Sequence, residues 1–220
     1  VFRIKIQTVI FDFDGTLADT LPLVFYAFQR VFKEYEQRNV TPEDIIKMFG
    51  PSEVEIIQNN ISDHEKIEDA IHSFYQYYMD HHRHLVKHSQ EILDLLHYLK
   101  AKDMNLAIVT GKARKSLDIS LQTLKMDSFF DVVITADDLN YPKPHPEGIL
   151  KVLETLKADK NHTLFIGDSL ADIEAGKRAG VYTIAVQWLS TPQTREFAIQ
   201  PHQLFYHINE FIEFIDRLGY

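Results

Sequence analysis

The residues best placed to do chemistry are two aspartates one position apart, Asp12 and Asp14, in the run Val9-Ile10-Phe11-Asp12-Phe13-Asp14-Gly15-Thr16-Leu17. An apolar stretch of this kind reads as a buried strand. Side chains alternate along a strand, so both carboxylates project to one side while Phe13 points into the opposite layer. A strand that ends in a glycine turn delivers them to the edge where open α/β sheets keep their active groups. Asp-x-Asp also occurs in calcium loops and at helix starts, so the pair takes its meaning from the rest of the chain.

Three further polar sets stand at comparable places. The strand-like Leu106-Ala107-Ile108-Val109 ends in Thr110-Gly111-Lys112, Lys143 lies in Pro142-Lys143-Pro144-His145-Pro146, and Thr163-Leu164-Phe165-Ile166 runs into Gly167-Asp168-Ser169-Leu170-Ala171-Asp172. Thr110 offers a hydroxyl at a strand end, and Gly111 lets a backbone N–H approach an anionic oxygen closely. An ordinary strand-to-helix turn also favours Thr-Gly. Prolines on both sides stiffen the Lys143 loop, so a long cationic side chain is presented from a fixed base. Lys112 and Arg114 read as solvent-exposed.

These groups need a scaffold, and the hydrophobic periodicity describes one. From about Gln90 apolar runs near Leu106–Val109, Val132–Thr135, Thr163–Ile166 and Tyr182–Val186 alternate with helices expected over Gln90–Lys102, Arg114–Leu124, Pro146–Leu156 and Ser169–Ala179, the last stopped by Gly180. Such alternation predicts an α/β fold, a doubly wound parallel sheet of Rossmann-like kind. Roughly 95 residues separate Asp14 from Thr110, far more than a crossover between neighbouring parallel strands needs. Leu21, Val24, Phe25, Phe28, Val31, Phe32 and Tyr35 recur there at helical spacing, with Thr20 as an N-cap and Pro22 in the first turn. Thr41-Pro42-Glu43-Asp44 opens a second helix that Gly50-Pro51 should end, Glu53–Asn60 makes a third, and Ile67, Ala70, Ile71, Phe74 and Tyr78 mark a fourth. The expected organisation is a core of residues 1–16 and 88–220 carrying an all-helical cap of residues 17–87. A short strand and an amphipathic helix between Pro201 and Leu218 should close the core.

The four sets in this order resemble the haloacid dehalogenase (HAD) superfamily, whose motifs are an Asp-x-Asp pair, a Thr or Ser, a Lys and a terminal acidic pair. The resemblance covers nearly the whole chain and is strongest to the phosphatase branch, similar to phosphoglycolate phosphatases and related pyrophosphatases. It implies a magnesium-dependent phosphatase acting on a small phosphorylated metabolite or on pyrophosphate. By that resemblance Asp12 is the nucleophile that forms an aspartyl-phosphate, and Asp14 protonates the leaving oxygen and later deprotonates water. Thr110, Gly111 and Lys143 would hold the phosphate. Asp12, the backbone carbonyl of Asp14 and Asp168 would ligate Mg2+. Asp172 would hold neighbouring groups or reach the site through water; its alternative is a first-turn acid complementing the helix dipole. The loop Phe49-Gly50-Pro51-Ser52-Glu53 resembles a glycine-proline loop of phosphoglycolate phosphatase-like caps, so Gly50, Pro51 and Ser52 are candidates for substrate contact, against a plain helix-breaking turn. Glu53, if inward, would disfavour a strongly anionic leaving group.

Composition narrows the alternatives. With 32 acidic against 23 basic residues the net charge is −9, which repels polyanions and argues against nucleic acid as a partner. There is no cysteine, so thiolate chemistry, disulfides and cysteine zinc sites are excluded. No apolar run approaches membrane-spanning length, and charges interrupt the opening Val1-Phe2-Arg3-Ile4-Lys5-Ile6, so a cytoplasmic protein is expected. His81, His82, His84 and His88 cluster without a metal-binding pattern and read as a polar helix end. A dehalogenase is disfavoured because Asp14 is present. A sugar phosphomutase of the β-phosphoglucomutase type would share the core but lacks its cap Ser–Arg pairing here, a phosphonatase would need a cap lysine such as Lys47, and a phospho-aspartate signalling domain would not carry the insert.

Overall fold

The computed structural model describes residues 5–218, so the opening Val1 to Ile4 and the last two residues lie outside it. Strands β1 (Thr8–Phe11), β2 (Asn105–Val109), β3 (Val132–Ile134), β4 (Thr163–Gly167), β5 (Tyr182–Val186) and β6 (Gln203–Phe205) form a single sheet in the order β3-β2-β1-β4-β5-β6. Every pairing is parallel. Parallel pairing forces helical crossovers onto both faces, which is why β1 is buried along its whole length. Side chains alternate as the sequence predicts. Val9, Phe11 and Phe13 enter one apolar cluster, whereas Ile10 enters another with Ile149 and Val152 of α7 (Glu147–Leu156) and Ala175 of α8 (Leu170–Ala179).

The register aligns the strand ends. Phe11 pairs with Ile108 of β2 on one side and with Ile166 of β4 on the other, so the residues that follow these strands emerge side by side. Strand order also reverses at β1, and the crevice this opens at the carboxyl ends is the usual ligand position in such sheets.

Between β1 and β2 lie α1 (Leu21–Glu36), α2 (Pro42–Ile46), α3 (Glu53–Asn60) and α4 (Ile67–Leu85). Helix α1 packs mainly on α4. Phe28 and Phe74 meet there with ring centroids 4.7 Å apart, both fully buried, each such side chain being worth about 1.5–3 kcal/mol. Helix α2 is shorter than expected. It stops at Ile46 and the chain turns through Met48 and Phe49, whose N–H groups bond the carbonyls of Ile45 and Ile46. The core helices α5 (Gln90–Ala101) and α6 (Arg114–Leu124) flank β2, and α4 rests against α6. Gly180 ends α8 in the left-handed region (φ 74°), as predicted, and α9 (Ile208–Arg217) closes the core beyond β6. Among the described residues no helix is long and apolar enough to cross a membrane.

Candidate active site

Asp12 is the first residue beyond β1, and its N–H donates to the Ile166 carbonyl at 2.8 Å, an extension of the β1–β4 ladder that fixes where its side chain starts. The Lys143 ammonium donates to Asp12 Oδ1 at 2.6 Å, to Asp172 Oδ1 at 2.5 Å and to the Val109 carbonyl at 3.2 Å. A lysine bound by three acceptors is no longer a flexible charge. Asp172 completes the capping box of α8, accepting from the Ser169 N–H at 2.9 Å and hydroxyl at 2.6 Å through Oδ2, and it holds Lys143 through Oδ1. Asp168 is fully buried, accepting from the Thr16 hydroxyl at 3.3 Å and the Gln193 N–H at 2.6 Å. Gly15 makes that possible. Its φ is +83°, and a Cβ there would lie 2.2 Å from Asp168 Oδ2.

One carboxylate oxygen each from Asp12, Asp168 and Asp172 lies within 4.8 Å of the others. Three buried acids therefore face a single nearby ammonium, Lys143. Burial first, and then the Asp172 charge, push the Asp12 carboxyl up to about 7 against the opposing pull of Lys143. Burial, followed by Asp12 and Asp172, holds Asp168 well above the ordinary carboxylate range. Burial alone would discharge Lys143, yet Asp12 and Asp172 hold its pKa above that of an ordinary lysine. A hard divalent cation with oxygen ligands fits this donor set and would relieve the crowding.

Asp14 turns elsewhere. Its Oδ1 accepts a short hydrogen bond from the Thr20 hydroxyl and lies 3.1 Å from the Lys112 ammonium, with Oδ2 at 3.5 Å from the same nitrogen. Thr20 therefore stands at the N-cap of α1 but spends its hydroxyl on Asp14, with no side-chain cap bond. The expectation that Lys112 is solvent-exposed is overturned. Its side chain is 1% exposed because Asp14 and Glu53, which lies 3.1 Å away, compensate the buried charge. Arg114 does stay near the surface, paired with Asp138 at 2.6 Å. Glu53 points inward, and the Ala113 N–H (2.6 Å), the Ser116 hydroxyl (2.7 Å) and Lys112 all meet its charge.

Asp12, Asp14, Thr110, Gly111 and Lys143 line one cavity of about 350 Å³. Gly50, Pro51, Phe49, Leu21, Val24 and Phe28 of the insert form its other wall. Thr110 accepts the Lys112 N–H at 3.1 Å, and nothing within 4 Å obstructs the space beside Gly111. Ser52 is not among that cavity's lining residues: it caps α3, with its N–H and hydroxyl both donating to Glu55 at 2.8 and 2.9 Å. It borders a neighbouring cleft instead. The expectation of a polar helix end fails at His82, which is fully buried and shares a hydrogen bond with the Ser120 hydroxyl at 2.8 Å, while His81 shares one with the Tyr26 hydroxyl at 3.1 Å.

Sequence reading missed three contributors. The Gln193 amide donates to the Asp14 carbonyl at 3.2 Å, the Trp188 indole donates to the Thr16 carbonyl at 2.8 Å, and Thr16 itself holds Asp168. The signal available was position, since the loop after β5 also leaves the carboxyl edge of the sheet.

The chain is similar to known proteins in sequence and in fold. The haloacid dehalogenase-like hydrolase family matches residues 9–186. The chain is 34% identical to the pyrophosphatase PpaX of Bacillus mycoides over 98% of this chain and 99% of that one. It is 38% identical to the PpaX of Bacillus cereus strain G9842, over 84% of each. A crystal structure of a predicted phosphoglycolate phosphatase from Haemophilus somnus has the same fold, with a TM-score of 0.82 at 20% identity, covering 95% of this chain and 97% of that one. With the second acid of the pair, Asp14, in the cavity beside Asp12, the chain is an enzyme of the haloacid dehalogenase-like hydrolase family, of its phosphatase kind.

Proposed function

We propose that the protein is a magnesium-dependent phosphatase that releases phosphate from a small phosphorylated metabolite in the cytoplasm through an aspartyl-phosphate on Asp12. The observation that carries this reading is the Asp12 carboxylate at the cavity floor with Lys143 2.6 Å away and Asp168 and Asp172 beside it. Residues 17–87 act as the cap and residues 1–16 with 88–220 as the catalytic core. Asp12 attacks phosphorus; Thr110, Gly111 and Lys143 hold the phosphoryl oxygens; Asp14 donates a proton to the leaving oxygen and takes one from water in the second half-reaction. Asp12, Asp168 and the Asp14 carbonyl would hold Mg2+, with Asp172 steadying Lys143 beside them. A bound magnesium supplies positive charge that lets an anionic nucleophile meet an anionic phosphoryl group.

The leaving group faces the insert. Glu53 is inward, but three donors meet its charge, so it does not exclude an anionic leaving group in the way an unpaired carboxylate would. Pyrophosphate is the first substrate to test because the relatives carry that name, with phosphoglycolate and sugar phosphates beside it. Phosphate release from this panel, with and without Mg2+, is expected to require the metal. Transfer between sugar hydroxyls without net release would instead favour the phosphomutase.

The crowded acids predict a pH effect on the metal-free protein. Asp12 has a pKa of about 7 when folded against an ordinary 3.8, so the folded state binds its proton more tightly than the unfolded chain. Its contribution is present at low pH and lost as the pH rises through about 7. In chelator, the melting temperature at pH 8 should fall roughly 5–10 °C below that at pH 5.5, millimolar Mg2+ should restore much of it, and Asp12→Asn should flatten the slope. A chelated wild type equally stable at both pH values would refute this.

A further inference from the structure

Resting on the phosphatase reading, we propose that Glu53 is a positioning residue: from the first turn of α3 in the helical insert it shares the Lys112 ammonium with Asp14, and so loosens the hold of Lys112 on the carboxyl that donates a proton to the leaving group. The chain of contacts is continuous. Ser52 and Glu55 form a capping box that fixes the first turn of α3, and Glu53 is its first residue. From there one Glu53 oxygen accepts the Ala113 N–H at 2.6 Å, and the other accepts the Ser116 hydroxyl at 2.7 Å and lies 3.1 Å from the Lys112 ammonium. Lys112 is in turn 3.1 Å from Asp14 Oδ1.

Lys112 reaches both oxygens of Asp14: it lies 3.1 Å from Oδ1, which also accepts from Thr20, and donates to Oδ2 at 3.5 Å. A buried ammonium with a single carboxylate partner would close on that partner. Glu53, at the same 3.1 Å, supplies a second partner and draws part of the ammonium's hold away from Asp14. Without that pull Lys112 competes with the leaving oxygen for Asp14. Glu53 belongs to the insert while Ala113, Ser116 and Lys112 belong to the core, so this arrangement forms only when α3 is seated on the start of α6. Seating the insert and preparing the acid are thus one event.

The test compares kcat/KM, which reports steps through departure of the leaving group, on glycerol 2-phosphate and on 4-nitrophenyl phosphate. The first needs a proton on its leaving alkoxide; the second does not. Glu53→Gln keeps the side-chain shape and an oxygen for Ala113 but cannot hold the ammonium by charge. It should lower kcat/KM for the alkyl ester about 10- to 100-fold, chiefly through kcat, and for the aryl ester less than about threefold. In a Lys112→Met background, Glu53→Gln should cost nothing further, because its effect runs through Lys112. Equal losses on both esters, or an undiminished loss in the Lys112→Met background, would overturn the positioning role while leaving the phosphatase intact. A wild type that in Mg2+ releases phosphate from neither ester nor from pyrophosphate, phosphoglycolate or sugar phosphates would remove the phosphatase reading, and the positioning role with it. Glu53→Ala, checked by thermal melting for folding, should reproduce the selective loss.

Discussion

Replacing Asp12 with Asn will reduce phosphate release by about 10⁴-fold or more while leaving the protein folded. Asparagine has nearly the same shape, so the Ile166 ladder bond and the cavity floor persist, but its amide is no nucleophile toward phosphorus. The substitution also removes one of three acids crowded within 4.8 Å, two of which burial and mutual repulsion already push toward protonation. Metal-free Asp12→Asn should therefore melt higher than the wild type at pH 8, so that activity and stability move in opposite directions. Such opposition identifies a group kept for chemistry. Phosphate assays beside thermal melts in chelator will decide it, and a variant retaining a tenth of wild-type turnover would end the covalent mechanism.

Lys143→Met should be damaging in both respects. Lys143 is the ammonium that binds both Asp12 and Asp172, and methionine fills similar length without charge or donors. Loss of one preorganised cationic donor at the phosphoryl group costs about 10²–10³ in kcat. Stability falls as well, because breaking a buried ion pair strands its partner, at about 3–5 kcal/mol. The sign of the pH dependence follows from which form is stranded. At pH 8 the folded state must hold ionised carboxylates with no counter-charge; at pH 5 Asp12, whose pKa burial and Asp172 raise and Lys143 no longer pulls down, takes up a proton and the penalty shrinks. Denaturant melts of the metal-free variant should show the larger deficit at pH 8. Equal deficits at the two pH values would mean that Lys143 contributes packing alone.

Much of the fold was open to reading along the chain, for local reasons. The strand Tyr182–Val186 and the helix Arg114–Leu124 appear with the expected bounds, and α8 ends at Gly180, because hydrophobic period and end signals are encoded within a few neighbouring residues. The strand-end residues Asp12, Thr110 and Asp168 were recognisable in the same way, as polar groups directly after apolar runs. Lys112 was misread for a reason that no local inspection repairs. Nothing among its neighbours Gly111 and Ala113 signals burial, and the acid that compensates it arrives from α3 in the insert. For Ser52 the sequence leaves two roles open, because capping α3 and contacting substrate call for the same residue type, and the structure shows the cap. Gln193 and Trp188 were overlooked because a glutamine and a tryptophan in a loop carry no chemical pattern of their own.

By itself, the order of residues determined the parallel sheet, the helical insert and the class of chemistry, since each strand delivers its polar successor to the same edge. Only the tertiary structure decided which charges face each other: Lys143 between Asp12 and Asp172, and Lys112 between Asp14 and Glu53. Secondary structure follows from contacts between near neighbours in the chain, whereas the energy of a buried charge depends on distances through space and on the water excluded around it, and neither is set until the insert and the core have closed over the site.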